Sequence, residues 1–375
     1  LPYHLCLNHT VEEITENCEN YKNAKAKLGE FEERARLRLG LLEAKNEEEF
    51  FEPQKLTLKK FFDESDFVFI ALHGGDGENG TFQKILASKG VKFNGPDEKV
   101  SRLCMDKWDT SRFIDELNIQ GVTAIAGKIV KTDAMYKFSD SDFRLFWRKI
   151  RKELGSDTLI VKPRADGCTT GVVHLYSSDD LKKYVKLVGN KAPFIPKQTF
   201  EGQVDIIEMP PMPPSELLLE KFVETDTVRV KANRLKHQHK TGWVEITVGV
   251  VEMNGKIKSL NPSITVVEGE VLTVEEKFQG GTGVNITPPP INIMKSKILE
   301  KVKSRIAELA EKIGIRGYSR IDAFVNLQSG DLQIIEINTL PGLTPSTVFY
   351  HQGLAETPPI FPRELLESLV QNKGF

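Results

Sequence analysis

Apolar and polar residues alternate most regularly near the C-terminal end of the chain. Arg320-Ile321-Asp322-Ala323-Phe324-Val325-Asn326 and Ile334-Ile335-Glu336-Ile337-Asn338 flank a turn at Ser329-Gly330, and the period-two pattern predicts a β-hairpin. Alternation sets Arg320 and Asp322 on one face, Glu336 and Asn338 on one face, with Ile321, Phe324, Ile335 and Ile337 as the apolar positions. A three-residue loop would set Asp322 opposite Glu336 and Arg320 opposite Asn338, with Cβ atoms about 5 Å apart.

Upstream, the pattern predicts further elements. Leu1-Pro-Tyr-His-Leu-Cys-Leu7 reads as a strand, and a charged helical region from Thr10 to Glu49 follows, with Thr10 and Glu13 spaced as a capping box. A strand at Phe67–Leu72 runs into the Gly-rich His73–Gly80 and a helix from Thr81; another helix opens at Met105-Asp106-Lys107 and runs to Leu117. Strands are expected at Thr158–Val161, Val172–Tyr176, Leu217–Val223 and Trp243–Val251, and an amphipathic helix from about Asn292 to Ile313. A Pro-rich stretch from Pro193 to Pro214 reads as an insertion or surface loop. Strand, glycine-rich turn and helix in this order indicate an α/β class.

The chain has 375 residues, which suits two or three domains, and a formal net charge of −2, which supplies no basic field for nucleic acid or an anionic membrane. The basic run Arg234–Lys240 reads as a solvated loop. Four cysteines (Cys6, Cys18, Cys104, Cys168) show neither C-x-x-C nor zinc spacing, which points to a reducing compartment. No apolar run approaches the ~20 residues of a membrane span. The chain opens on an apolar strand without an initiating Met, as expected of a processed protein or a start inside a longer one.

The candidate chemistry is acidic at the hairpin. Two ionised carboxylates at this distance repel unless a cation lies between them, and Asp322, Glu336 and an Asn338 carbonyl are hard oxygen ligands of the kind Mg²⁺ takes alongside substrate phosphates. The alternative is an amphipathic hairpin with a polar outer face. Lys162 ends a strand and precedes a loop with Gly167, Cys168, Thr169, Thr170 and Gly171, whose backbone N–H groups could fold over phosphate oxygens; an ordinary hairpin turn reads equally well. Lys107 and Lys277 are surface charges by themselves, but three ammonium groups converging on the acidic hairpin would neutralise a triphosphate beside Mg²⁺. Glu220-Lys221-Phe222-Val223 suits a nucleobase, with apolar walls and main-chain groups to read the ring edge, or it is a buried strand with a charged end.

The order of these segments resembles the D-alanine–D-alanine ligase family of the ATP-grasp superfamily, in a divergent or enlarged branch. The resemblance lies in His73-Gly74, Gly77-Glu78-Asn79-Gly80 and Gln83; Met105-Asp106-Lys107; Val161-Lys162-Pro163 with Gly167-Cys168-Thr169 and Gly171; Glu220–Val223; Glu275-Glu276-Lys277; Arg320-Ile-Asp322; and Glu336–Thr344. It runs from about Phe67 to the C-terminus. It implies an ATP-grasp fold with an incomplete N-terminal α/β domain (1–97), a central domain (98–222) and a C-terminal domain (223–375), ATP lying between the last two. The implied reaction joins two D-alanines through an acyl phosphate, for peptidoglycan precursors. It would run in the cytoplasm, or in the plastid of a plant or alga, with ATP and D-alanine as partners and a homodimer as an option.

By this resemblance Lys107, Lys162 and Lys277 bind ATP phosphates with the Gly167–Gly171 flap, and Glu220, Lys221 and Val223 line the nucleobase pocket. Asp322, Glu336 and Asn338 hold two Mg²⁺, with Mn²⁺ as an alternative, Arg320 and the Gly342 amide stabilise an oxyanion, and His73 borders the first amino acid. Cys168 and Thr169 stand where the family usually has serines, Ser346 and Thr347 both suit the second substrate's carboxylate, and the ribose ligand falls near Asp226 or Thr227. Phe278, where dipeptide-forming relatives commonly carry Tyr, raises a D-lactate-type second substrate as the alternative. The family's first strand and the glutamate for the first D-alanine are not visible and would precede residue 1, which leaves a silent ATP-binding half as a further alternative.

Overall fold

The computed structural model describes residues 56–165, 170–231, 234–266, 284–344 and 347–371. The expected strand at Leu1–Leu7 and helical region at Thr10–Glu49 lie outside them. The chain divides into two units, Leu1–Glu64 and Ser65–Phe375. In the first, helix α1 (Leu58–Asp63) starts at Thr57, whose hydroxyl accepts the Lys60 N–H at 3.2 Å.

The second unit opens with β1 (Phe67–Val68), α2 (Gly75–Glu78), α3 (Thr81–Ser88) and β2 (Lys92–Phe93), the two strands pairing in parallel. β1 stops four residues short of the expected Leu72 because the Asn94 side chain takes over Ile70. Its Oδ1 accepts the Ile70 N–H at 2.6 Å, and its Nδ2 donates to the Ile70 carbonyl at 3.1 Å. α4 (Glu98–Met105) and α5 (Lys107–Glu116) follow, then β3 (Val122–Ala124). Asp106 starts α5: its Oδ1 accepts the amides of Trp108 and Asp109 at 3.1 and 3.0 Å.

Next come β4 (Gly127–Lys131), α6 (Thr132–Met135), α7 (Asp140–Leu154), β5 (Leu159–Pro163), β6 (Val173–Leu175), α8 (Ser178–Gly189), β7 (Phe194–Ile195), β8 (Ile207–Glu208) and β9 (Glu216–Lys221). β4, β9, β5 and β6, in that order, form an antiparallel sheet. α7 and α8 carry the capping boxes Ser139/Asp142 and Ser177/Asp180. Their apolar residues Trp147, Ile150, Leu181 and Tyr184 share one core with Leu159, Val161, Leu175, Leu217 and Leu219 of the sheet. The Pro-rich stretch forms the small β7–β8 hairpin.

β10 (Thr227–Lys231) and β11 (Arg234–Gln238) form an antiparallel hairpin, so the basic run expected as a loop is a strand for most of its length. Period-two pairing explains it: Val228 lies opposite His237, and Val228 is buried. Then follow β12 (Trp243–Met253), β13 (Lys256–Ser259), β14 (Ser263–Val266), β15 (Val284–Ile286), α9 (Ser296–Ile313), β16 (Tyr318–Asn326), β17 (Leu332–Asn338), α10 (Val348–Leu354) and α11 (Pro362–Gln371). The strands order β15-β14-β12-β16-β17-β3, with β13 also on β12 and only β3 parallel to its neighbour. α9 lays Val302, Ile306, Leu309 and Ala310 against Val248, Val250, Ile321, Ala323, Val325 and Ile334. Each valine, leucine and isoleucine among them contributes about 1.5–3 kcal/mol by leaving water. This core holds β16 and β17 rigid, and their opposite face carries the polar residues.

Candidate functional site

The hairpin register places Asp322 opposite Glu336 and Arg320 opposite Asn338. Beyond Asp322 the register shifts, Ala323 facing Ile334, so Ile335 is an extra residue in β17. This bulge turns Ile335 to the same side as Glu336, and Phe324 shares the parity of Arg320 and Asp322. Both line the cleft, whereas Ile321 and Ile337 are core, which corrects the reading of all four as one apolar set.

Around Asp322 the polar groups converge. Arg320 Nη2 is 3.1 Å from Asp322 Oδ2 and 4.0 Å from Glu336 Oε1. Asn338 Nδ2 donates to Asp322 Oδ2 and to Glu336 Oε1, each at 3.3 Å, and Thr247 Oγ1 donates to Asp322 Oδ1 at 2.8 Å. Burial pushes the Asp322 carboxyl above the ordinary range; Arg320 opposes this and Glu336 adds to it. Burial also works against the Arg320 charge, but Asp322 and Glu336 outweigh it and raise its pKa. Lys107, at the start of α5, reaches Glu336 Oε2 at 3.7 Å.

The second sheet supplies the facing wall. Lys162 in β5 and Glu220 in β9 lie diagonally across the strand pair, form an ion pair at 2.6 Å, and are each only 4 % exposed. Glu220, Lys221, Phe222 and Val223 line the same cavity of about 240 Å³ as Lys107, Lys162, Arg320, Asp322 and Glu336. Ile125, Ile160, Phe324 and Ile335 give it apolar walls. An apolar end and a charged end in one cleft suit an amphipathic ligand with a flat ring and an anionic tail.

The Gly-rich turn after β1 is tied to the turn after β17 by Glu78, which is buried. Its Oε1 accepts the Leu340 amide at 2.8 Å, and its Oε2 accepts the Gly74 amide at 2.6 Å and lies 2.9 Å from His73 Nδ1. His73 Nδ1 is also 3.2 Å from the Leu340 carbonyl, so His73 stands beside the Pro341-Gly342 turn. Gly77 is required there, because a Cβ would sit 2.4 Å from the Leu72 carbonyl oxygen. Gly171 closes the β5–β6 loop at a φ of +67°, its N–H donating to Glu208 O at 2.8 Å and its carbonyl accepting Tyr184 Oη at 2.7 Å.

The structure thus brings together Lys107, Lys162, Glu220, Lys221, Val223, Arg320, Asp322, Glu336 and Asn338, and sets His73 near Gly342. Thr347 starts α10, its N–H bonding the Thr344 carbonyl at 2.9 Å. Gly167, Cys168, Thr169, Lys277, Phe278 and Ser346 lie outside the described residues. Asp226 is not a ribose ligand: its side chain is fully buried and accepts the amides of Lys240, Thr241 and Gly242, each at 2.8 Å. Sequence reasoning assigned no role to Thr247, Phe222 or Glu78; nothing local marks Thr247, while Phe222 and Glu78 stood inside segments already singled out.

Among the described residues no three His, Cys, Asp or Glu side chains form a metal-ligating group. The donors present are two carboxylates and an amide, a set that fits a hard divalent cation whose remaining ligands come from water and phosphate.

A family model for the D-Ala-D-Ala ligase C-terminus matches residues 237–371, and one for the D-Ala-D-Ala ligase N-terminus matches residues 7–96. The chain belongs to the D-alanine–D-alanine ligase family. The likeness therefore starts near residue 7, not at Phe67, and takes in the charged region before β1. A D-alanine–D-alanine ligase of Carboxydothermus hydrogenoformans is 26 % identical over 299 residues, 78 % of this chain and 76 % of that protein. One of Pediococcus pentosaceus is 26 % identical over 311 residues, 82 % of this chain and 69 % of that protein. The ligase from Bacillus anthracis complexed with ATP superposes with a TM-score of 0.57 at 21 % identity, covering 84 % of this chain and 81 % of that one. The fold is the ATP-grasp fold of this ligase family.

Proposed function

We propose that this chain ligates two D-alanine molecules at the expense of ATP, for peptidoglycan precursors. The observation that carries the reading is the cleft itself: Lys107 beside Glu336, and Lys162 on the facing wall, line one cavity with Asp322 and Glu336, with apolar walls beside Glu220–Val223. The first D-alanine carboxylate attacks the γ-phosphorus; the new O–P bond forms as the bond to the β-phosphate oxygen breaks, leaving an acyl phosphate and ADP. The amine of the second D-alanine attacks the acyl carbon, phosphate departs, and the amine loses a proton. Little of this needs covalent participation by the protein, so positioning and charge neutralisation carry the rate.

In this reading Lys107 and Lys162, with Lys277, take the phosphates together with the Gly167–Gly171 flap that contains Cys168 and Thr169. Glu220, Lys221 and Val223 hold the nucleobase. Asp322, Glu336 and Asn338 would hold Mg²⁺, which when bound neutralises the phosphate oxygens. Arg320, with its fixed charge and planar donors, and the Gly342 N–H meet the oxyanion, and His73 borders the first D-alanine. Ser346 or Thr347 receives the second carboxylate, and Phe278 faces that substrate. The division at residues 97 and 222, a homodimer and a cytoplasmic location belong to the same proposal. No helix among the described residues is long and apolar enough to cross a membrane. The curated relatives are named for dipeptide ligation, so a hydroxy-acid second substrate is not favoured.

ADP release measured with D-alanine, D-lactate or neither, with product analysis, tests the reading. D-alanine-dependent ADP and D-alanyl-D-alanine are expected. ATP turnover indifferent to D-alanine, or product only with D-lactate, would overturn it.

A further inference from the structure

We propose that Arg164 is a positioning residue that clasps the start of α5 to the end of β5 and thereby sets the spacing of Lys107 and Lys162. The inference rests on the ATP-site reading of the cleft. Arg164 directly follows β5, and its guanidinium engages three carboxylates. Nε donates to Asp106 Oδ2 at 2.7 Å, Nη1 to Glu216 Oε2 at 2.7 Å, and Nη2 to Asp109 Oδ1 at 3.0 Å. Its main-chain carbonyl accepts the Lys107 N–H at 3.1 Å, one of the amides that a helix start leaves without an intrahelical partner.

Each partner is placed to matter. Asp106 uses one oxygen to cap α5 and the other to receive Arg164. Lys107 is the next residue, the first of α5. Lys162 lies two residues before Arg164, and Glu216 opens β9, the strand that also carries Glu220. α5 packs chiefly on β3 of the seven-stranded sheet, with smaller contacts to β17 and to β4, whereas β5 and β9 belong to the four-stranded sheet. The Arg164 side chain joins Asp106 and Asp109 at the start of α5 to Glu216 at the start of β9, at the phosphate end of the cleft. A lysine cannot replace it, because a single ammonium lacks the planar fork that meets three carboxylates from different directions. Without the guanidinium, Asp106, Asp109 and Glu216 are left as three like charges around one point, and repulsion drives the start of α5 away from β5. The first-substrate side is held by other contacts, in which Glu78 joins His73 to Leu340.

The test is steady-state kinetics with ATP and D-alanine varied separately, on wild type, Arg164→Ala, Arg164→Lys and Arg164→Ala/Glu216→Gln, with unliganded melting temperatures alongside. Arg164→Ala is expected to raise the KM for ATP tenfold or more while the KM for D-alanine stays within twofold. Arg164→Lys should fall between, and Glu216→Gln should recover part of the loss by removing one repelling charge. An unchanged KM for ATP, or an equal rise in both KM values, would overturn the clasp. Should Arg164→Ala fail to fold, Arg164→Lys decides: a threefold or larger rise confined to ATP supports the clasp, and wild-type values refute it. If wild type shows no D-alanine-dependent turnover, the ligase reading fails. The clasp is then judged by the Mg-ATP thermal shift, which must be smaller in Arg164→Lys than in wild type.

Discussion

Replacing Glu220 with Gln separates the two duties of the Lys162–Glu220 pair. The substitution keeps shape and removes one charge, leaving the Lys162 ammonium 4 % exposed with its 2.6 Å partner neutralised. Breaking one side of a buried ion pair costs about 3–5 kcal/mol. The Gln carbonyl remains as an acceptor, so the lower end, about 3 kcal/mol, is expected without nucleotide, about 4 °C in melting temperature for a chain of this length. Mg-ATP should restore part of this, because phosphate oxygens offer Lys162 new negative partners. Lys162→Met leaves the opposite orphan, a buried carboxylate that phosphate can only repel, so it should lose a similar amount of stability and gain little from Mg-ATP. Urea unfolding with and without saturating Mg-ATP reads both effects. If Glu220→Gln loses less than about 1 kcal/mol, or if nucleotide stabilises the two variants equally, Lys162 does not exchange Glu220 for phosphate.

Glu336→Gln should weaken the Mg²⁺ dependence of ATP-induced stabilisation, since Glu336 is one of two carboxylates at the hairpin; an Mg²⁺ titration identical to wild type would remove Glu336 from the metal set. His174 stacks on Phe222 with ring centroids 3.9 Å apart, and burial pushes its pKa down to about 4, with Asp180 opposing. The unfolded chain therefore takes up this proton first as pH falls, and stability should drop between pH 6.5 and about 4. After discounting for partial exposure the loss is about 2 kcal/mol, and an equally steep decline in His174→Gln would exclude His174 as the source. Burial alone would raise the pKa of Asp226, but the Lys240 and Gly242 amides, His237 and the Thr241 amide hold it at about 2, against an ordinary 3.8. This depressed pKa adds about 2 kcal/mol above pH 3.8, lost as pH falls through about 2. The stability gap between wild type and Asp226→Asn should therefore close across that window, and a constant gap would contradict the assignment.

Much of the site was legible because its signal is local. Alternation in Arg320–Asn326 and Ile334–Asn338 shows which residues share a face; the expected pairing of Asp322 with Glu336 rested on a three-residue loop, and it occurs with a longer loop, after Val325↔Leu332, because the bulge at Ile335 restores the register. The bulge at Ile335 was not legible, since an extra residue shows itself only against a partner strand. The Lys162–Glu220 pair depends on the register of β5 with β9, strands more than fifty residues apart, so no window of sequence contains it. Thr247 is hidden likewise: its bond to Asp322 arises from the β12–β16 pairing. The misread Arg234–Lys240 run shows the opposite error, where charge outweighed the weaker period-two signal of Leu235 and His237. α7 and α8 were passed over although their caps are local, because Asp142 and Asp180 stand where the usual pattern has Glu or Gln.

The charged groups of the cleft are paired with one another, and this bears on how Mg-ATP would enter. Lys162 lies on Glu220, Lys107 on Glu336, and Arg320 on Asp322. ATP alone would draw Lys107 and Lys162 toward its phosphates and leave Glu336 and Glu220 facing added negative charge. A divalent cation alone would draw Glu336 and Asp322 and leave Lys107 and Arg320 facing added positive charge. With both present, Lys107, Lys162 and Arg320 would face phosphate while Glu336 and Asp322 would face the cation, and Glu220 would be the carboxylate left without its ammonium. Cooperative entry of metal and nucleotide would then need no moving part: it would follow from the cost of an uncompensated charge in a buried site, several kcal/mol per ion. The same logic gives the Asn338 amide a place at the centre, because its neutral group donates to Asp322 and Glu336 and could instead turn its oxygen to a cation.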